Sequence, residues 1–80
     1  MTIHYYVRTG STTHGPILDS GKADSIDAAT TAARRAAKRI HRYLYSTSVT
    51  IYYYDDNLKL LYKEQSSNPS VRRSWHQVTA

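Results

Sequence analysis

The 80-residue chain contains no cysteine and no long apolar run, and each absence excludes a class of protein. Without cysteine there are no disulfide staples and no thiolate metal ligands, so we expect a reducing compartment, the cytoplasm. No apolar run approaches the ~20 residues that cross a bilayer, and the N-terminus lacks the pattern of a signal peptide, so no membrane partner is expected. The length predicts one small domain, residues 1–80, and excludes a multidomain enzyme.

Acidic residues are scarce relative to basic ones. Eleven lysines and arginines against six aspartates and glutamates give a formal net charge of +5 at pH 7. Such a surplus favours a polyanion or an acidic protein surface as the partner. Charge alone does not decide between these two kinds of partner.

Period-2 alternation and β-branched or aromatic runs predict the strands. In the first of them, Ile3, Tyr5 and Val7 alternate with polar or amphipathic residues, which is typical of a strand with one covered face. The predicted strands are Thr2–Arg8, Ile17–Ala23, Ser48–Tyr54, Leu58–Glu64 and Arg73–Val78.

The third and fourth strands should form a hairpin, and a two-residue turn at Asp56-Asn57 fixes its register. A three-residue turn would flip one strand unless a bulge restored the match. The two-residue turn predicts four cross-strand pairs, which are Tyr53 with Leu60, Ile51 with Tyr62, Tyr54 with Lys59, and Tyr52 with Leu61.

An alanine-rich helix is predicted from an N-cap at Asp24 or Ser25 to about Leu44, with Asp27 complementing the helix dipole. At 100° per residue, one stripe of this helix forms a core face. The stripe contains Ile26, Ala29, Ala33, Ala36, Ala37, Ile40 and Leu44. The order β-β-α-β-β-β therefore predicts an α+β fold in which one amphipathic helix covers one face of an antiparallel sheet of four to five strands.

The opposite arc of the helix is basic. It contains Arg34, Arg35, Lys38, Arg39 and Arg42, and His41 lies at its edge. The simplest interpretation is a helix face that makes the protein soluble. Such faces usually carry both positive and negative side chains, however, and Asp27 is the one acidic residue of this predicted helix. Like charges at i,i+4 spacing repel by a few tenths of a kcal/mol per pair. Tolerated repulsion indicates a negatively charged partner, and all five cations are candidate binding residues.

With a single helix, the other face of the sheet should be open and should carry Tyr6, Tyr52 and Tyr54 among cations. Aromatic rings interleaved with cations are used to bind single-stranded nucleic acid, but also protein partners or a second copy of the chain. The chain has no phenylalanine and lacks the usual RNA-recognition strand motif. Tyr52 and Tyr54 are candidate binding residues on this face, and these alternatives remain open.

Catalytic and cofactor sites are not indicated. The four histidines lack the spacing of a metal site, no serine stands in a nucleophile context, and the glycines follow no phosphate-loop spacing. We therefore predict no enzyme activity, no metal and no cofactor. Trp75, beside Arg72 and Arg73, either closes one end of the core or anchors an interface.

Several short pieces of the chain, in order, resemble a known family. These pieces are Ile26-Asp27-Ala28-Ala29-Thr30, Ala37-Lys38-Arg39-Ile40, the hairpin from Val49 to Glu64, and Arg73-Ser74-Trp75. Over roughly residues 26 to 78 the chain is similar to small phage-encoded anti-CRISPR inhibitors of type I-F systems.

This resemblance implies a non-enzymatic inhibitor. We expect a monomer or weak homodimer in the cytoplasm of an infected bacterium. It would dock on the backbone subunits of the multi-subunit crRNA-guided (Cascade-like) surveillance complex and block hybridisation of target DNA. Basic residues of the helix and of the last strand bind in that family, which here correspond to Arg35, Lys38, Arg39 and Arg73. The alternative is a small DNA- or RNA-binding protein that contacts phosphates with the same helix face.

Overall fold

A computed structural model describes residues 1–10, 16–41, 48–66 and 75–78. Its elements are β1 (Ile3–Thr9), β2 (Ile17–Ala23), α1 (Ile26–His41), β3 (Val49–Tyr54), β4 (Leu60–Ser66) and β5 (His76–Val78). The strands form one antiparallel sheet in the order β2-β1-β3-β4-β5, and α1 packs on it. The predicted α+β class and element order are confirmed. The predicted helix end at Leu44 and the residues Arg73 and Ser74 of the predicted last strand lie outside the described residues.

The start of α1 follows the predicted capping chemistry. The Ser25 hydroxyl accepts a hydrogen bond from the amide of Ala28 at 3.1 Å, and Asp27 lies in the first turn. The capping oxygen satisfies an amide that has no partner inside the helix, and the carboxylate complements the positive end of the dipole. α1 is 16 residues long, and no helix in the described ranges has the length and apolarity of a membrane span.

The core lies between α1 and alternate residues of β1 and β3. Because the helix presents alanines, its backbone approaches the sheet closely, and the sheet supplies the large side chains that fill the space. The buried residues of this core cluster are Ile3, Tyr5, Val7, Ala29, Ala33, Ala36, Ala37, Val49, Ile51 and Tyr53. Ile26 and Ile40 are partly buried against them, so the predicted stripe is confirmed for all its members within the described residues.

A glycine in β2 makes room for one of these core rings. Tyr5 pairs with Gly21 across the β1–β2 ladder, and the Tyr5 side chain lies over the glycine α-carbon. A β-carbon at position 21 would come within 2.6 Å of the Tyr5 Cζ, which is closer than carbon atoms can approach. Any larger residue here would force the Tyr5 ring to move, and glycine leaves the space that this ring fills.

The connection between β3 and β4 is longer than the predicted two-residue turn. The Asp55 amide donates to the Lys59 carbonyl at 3.1 Å, and the Leu58 amide donates to the Asp55 carbonyl at 3.0 Å. Three residues therefore lie between Asp55 and Lys59. Leu58 adopts a left-handed backbone with φ of 61°, as the last residue of a three-residue hairpin loop does. The Asp55 carboxylate favours this loop, because its Oδ1 accepts from the amides of Asn57 at 2.8 Å and Lys59 at 2.9 Å.

The predicted register of this hairpin, which assumed a two-residue turn, is wrong. The three-residue loop moves the pairing by one residue, so that Tyr54 pairs with Leu60 instead of Lys59, and a bulge moves it by one more. Tyr53 pairs with Tyr62 and Tyr52 with Lys63, two residues beyond the predicted partners, and a register irregularity lies between Tyr53 and Tyr54. A shift of two residues preserves which face each side chain occupies, because side chains alternate with period 2. Tyr53 therefore still points to the helix and its neighbour Tyr52 to the opposite face.

Candidate binding surface on the helix and the sheet

Arg34, predicted to be part of an exposed basic arc, is tied to the sheet instead. Its Nε donates to Glu64 Oε1 at 3.2 Å, and its terminal nitrogen donates to Glu64 Oε2. The Glu64 residue is only 4% exposed, and the Tyr53 hydroxyl donates to the same carboxylate at 2.6 Å. Thr30, one turn before Arg34, shares a hydrogen bond of 2.8 Å with the Tyr62 hydroxyl. We call Thr30, Arg34, Tyr53, Tyr62 and Glu64 the polar bridge.

The polar bridge fills the space between α1 and β4. The helix packs against β1, β2 and β3, and polar side chains join it to the more distant β4. The Tyr53 and Tyr62 rings stack with centroids 4.6 Å apart, and the Tyr53 hydroxyl reaches the buried Glu64 carboxylate. Sequence reasoning missed Glu64 as a partner of the helix. Its position two residues after Tyr62, on the same face of a strand, was the available signal.

Proton equilibria in the polar bridge reflect this geometry. The hydrogen bond to Glu64 raises the pKa of Arg34 above its ordinary value. Burial is the main cause that raises the pKa of Tyr53, and the hydrogen bond to Glu64 raises it further. Burial likewise raises the pKa of Tyr62. The guanidinium therefore stays charged and both phenols stay protonated at neutral pH, as the hydrogen bonds require.

Three other cations of the arc remain on the surface. Arg35, Lys38 and Arg39 are exposed, and we call them the basic ridge. Among the described residues, no carboxylate lies within 4 Å of Arg35 or Lys38, whereas Arg39 approaches Asp19 of β2 at 3.8 Å. That contact is between side chains that are 66% and 40% exposed, so water and salt screen it. The basic ridge therefore keeps its positive field. Arg42, the remaining member of the predicted arc, lies outside the described residues.

The opposite sheet face is less open than expected. Tyr52 points to this face but is 1% exposed, and its hydroxyl is buried without a hydrogen-bond partner among the described residues. Burial raises its pKa, and Lys63 Nζ lies 6.0 Å from the ring centroid. The expectation that Tyr52 is exposed was therefore wrong. Tyr54 is partly exposed and meets Tyr6 edge to face, with ring centroids 5.5 Å apart.

Of the two C-terminal candidates, Trp75 belongs to the described residues and Arg73 does not. Trp75 is partly buried against the core cluster, which supports its interpretation as a residue that closes the core. Arg73 lies outside the described residues. Of the predicted binding residues, the structure brings together the basic ridge on one side of the molecule and places Tyr54 on the other.

Within the described ranges, no group of three histidine, aspartate or glutamate side chains is placed to hold a metal ion. Comparisons of the chain with protein-family models, with curated proteins and with solved structures find no match.

Proposed function

We propose that the protein is a non-enzymatic binding protein that inhibits a type I crRNA-guided surveillance complex in the cytoplasm of an infected bacterium. In this proposal the basic ridge docks on the complex and blocks hybridisation of target DNA. The observation that carries the proposal is the exposure of Arg35 and Lys38 without a carboxylate within 4 Å among the described residues. The sequence resemblance supplies the identity of the complex.

Electrostatics supports an electronegative contact. Arg39 is four residues and Lys38 three residues from Arg35 on the helix, so each of them is a surface neighbour of Arg35. Holding three like charges together costs a few tenths of a kcal/mol per pair in the free protein. A negative partner removes this repulsion and gains attraction that steers association. On the complex, that partner is an acidic protein patch beside the DNA channel or the nucleic acid within it.

A binding experiment with and without nuclease tests the proposal. The purified protein is immobilised and exposed to a purified type I surveillance complex carrying its crRNA, and target-DNA hybridisation is measured in parallel. We expect capture that survives nuclease treatment of free nucleic acid and a loss of hybridisation that depends on inhibitor concentration. Undiminished hybridisation at saturating inhibitor would overturn the proposal.

Direct nucleic-acid binding is the second candidate, because the same ridge could follow a phosphate backbone. Three ridge cations that each contact a phosphate predict a log-log salt slope of about −2.7, from about −0.9 per contact on duplex DNA. The measurement is fluorescence anisotropy of a labelled duplex over a range of salt concentrations. No detectable binding at about 50 mM salt excludes this candidate.

A further inference from the structure

A carboxylate stands beside the basic ridge, on the terminal strand of the sheet. Asp19 of β2 pairs with Val7 of β1, a core residue under α1, so the Asp19 side chain lies on the helix side of the sheet. Its Oδ2 lies 3.8 Å from a terminal nitrogen of Arg39. Within the described part of the chain, Asp19 is the one carboxylate within 4 Å of the ridge.

The backbone of β2 orients this carboxylate. Its Oδ1 accepts a hydrogen bond from the Ser20 amide at 2.8 Å, so one oxygen is bound to the strand and the other faces the ridge. The Asp19 side chain is 40% exposed, and a partner that covers Arg39 therefore also meets Asp19. The surface that the ridge presents thus contains a fixed negative group beside its cations.

We propose that Asp19 makes the basic ridge selective for a protein surface of mixed charge and against nucleic acid, an inference that rests on the function proposed above. The partner surface places carboxylates opposite Arg35 and Lys38, and a cation or a hydrogen-bond donor opposite Asp19. Asp19 is then a specificity-determining residue, and the part of the surveillance complex that the ridge contacts is protein.

A nucleic acid complements only the cations of this surface. Its backbone carries a negative charge at every phosphate, so a strand that follows the ridge past Arg39 also brings phosphates close to Asp19. The Asp19 carboxylate repels these phosphates and competes with them for Arg39. A protein surface can place opposite charges side by side, and like charges that meet at an interface exclude the wrong partner.

The affinity of the chain for a labelled DNA duplex, measured by fluorescence anisotropy, tests the selection against nucleic acid and needs no surveillance complex. Asp19→Asn removes the charge and keeps a side-chain oxygen for the Ser20 amide. We expect this variant to bind the duplex about two- to fivefold more tightly at about 0.1 M salt. The log-log salt slope should change from about −1.8, for Arg35 and Lys38, to about −2.7, when Arg39 also contacts a phosphate.

Asp24→Asn is the matched control, because it raises the net charge equally at an exposed position before α1. Asp24 lies roughly 15 Å from Arg35 along the helix axis, which exceeds the screening length of about 10 Å at 0.1 M salt. This variant should keep the DNA affinity and the salt slope of the natural chain. An equal gain in both variants, no gain in Asp19→Asn, or a slope of about −2.7 in the natural chain would overturn the proposal.

Binding to the purified surveillance complex, treated with nuclease to remove free nucleic acid, tests the selection for protein. Here Asp19→Asn should bind about two- to fivefold more weakly than the natural chain, because the group opposite Asp19 loses its charged partner. Equal or tighter binding would show that Asp19 meets no positive group on the complex and would overturn the proposal. Failure of the natural chain to bind the complex would contradict the proposed function itself, and the DNA comparison distinguishes that result from a loss of selectivity.

Discussion

Arg34 and Arg35 are neighbours in the chain, yet they belong to two different regions of the molecule. Arg34 is held by the buried Glu64 in the polar bridge, and Arg35 is exposed in the basic ridge. The helical wheel places both on the arc opposite the alanine stripe. The comparison shows that the position of a charge relative to the neighbouring strand decides whether it is available to a partner.

The strand order explains the difference. α1 packs on β2, β1 and β3, so one flank of the helix overhangs β4 and the other flank faces β2. On the β4 flank, Arg34 meets the carboxylate of Glu64, a residue that is 4% exposed. On the β2 flank, Arg39 meets an exposed carboxylate at 3.8 Å. A guanidinium in the first position stabilises the fold, and one in the second remains accessible to solvent.

The largest expected effect tests the helix orientation on which this comparison depends. Ala33 is 0% exposed between α1 and the sheet. Ala33→Arg would force a cation into this contact, and we expect a loss of more than about 4 kcal/mol in the free energy of unfolding. Ala28→Arg on the exposed side of the same helix is the control and should change stability by less than about 0.5 kcal/mol. Equal melting of both variants would show that α1 is rotated from its assigned orientation.

The next effect concerns the polar bridge itself. Glu64→Ala leaves the Tyr53 hydroxyl buried without its acceptor and Arg34 without its partner. Because the Arg34 side chain is 42% exposed and partly solvated, we expect a loss of about 2–3 kcal/mol, less than for a fully buried pair. Glu64→Gln keeps an acceptor for Tyr53 and should lose less. Urea unfolding measures both, and an unchanged midpoint for Glu64→Ala would mean that the bridge contributes no stability.

A smaller effect contrasts an exposed carboxylate with the buried Glu64. The exposed Asp56 accepts from the Thr2 amide at 3.2 Å and lies 3.3 Å from the His4 ring nitrogen. Its pKa lies below the ordinary value of 3.8, first because of the Thr2 amide and then because of His4. A carboxyl whose folded pKa is lowered stabilises the fold above the unfolded value and loses that contribution as the pH falls through the folded value.

Comparison of the natural chain with Asp56→Asn tests the predicted direction in which stability changes with pH. The two proteins should differ slightly in unfolding midpoint at about pH 6, and the difference should fall toward zero as the pH approaches about 2. A difference that stays constant over this range would show that the carboxylate charge has no part in the interaction.

Local chemistry predicts much of the fold but not the interactions between elements. Alternation in β1 and the alanine stripe identify the core, and the oxygen of Ser25 identifies the helix start, because each depends on a few adjacent residues. The hairpin register was missed because Leu58 adopts a left-handed backbone, which its residue type disfavours, and because a bulge lies between Tyr53 and Tyr54. The pairing of Arg34 with Glu64 joins residues 30 positions apart and depends on strand order, which no local pattern contains.

In the candidate site too, local patterns predicted some features, and contacts between elements could not be predicted. The basic ridge follows from helical periodicity alone, and its three residues are exposed as expected. Tyr52 was misjudged because parity gives the face of a sheet residue but not what covers it. The 1% exposure of Tyr52 therefore could not be predicted from alternation.

Charge reversal of the basic ridge tests the central claim most directly. The double variant Arg35→Glu/Arg39→Glu is compared with Lys22→Glu/Lys59→Glu, which changes the net charge equally at exposed positions away from the ridge. Both should unfold within about 0.5 kcal/mol of the natural chain, because surface substitutions have small effects. Binding to the surveillance complex is then measured for each. We predict that the ridge variant loses binding and the control retains it, and retained binding by a folded ridge variant would contradict the account.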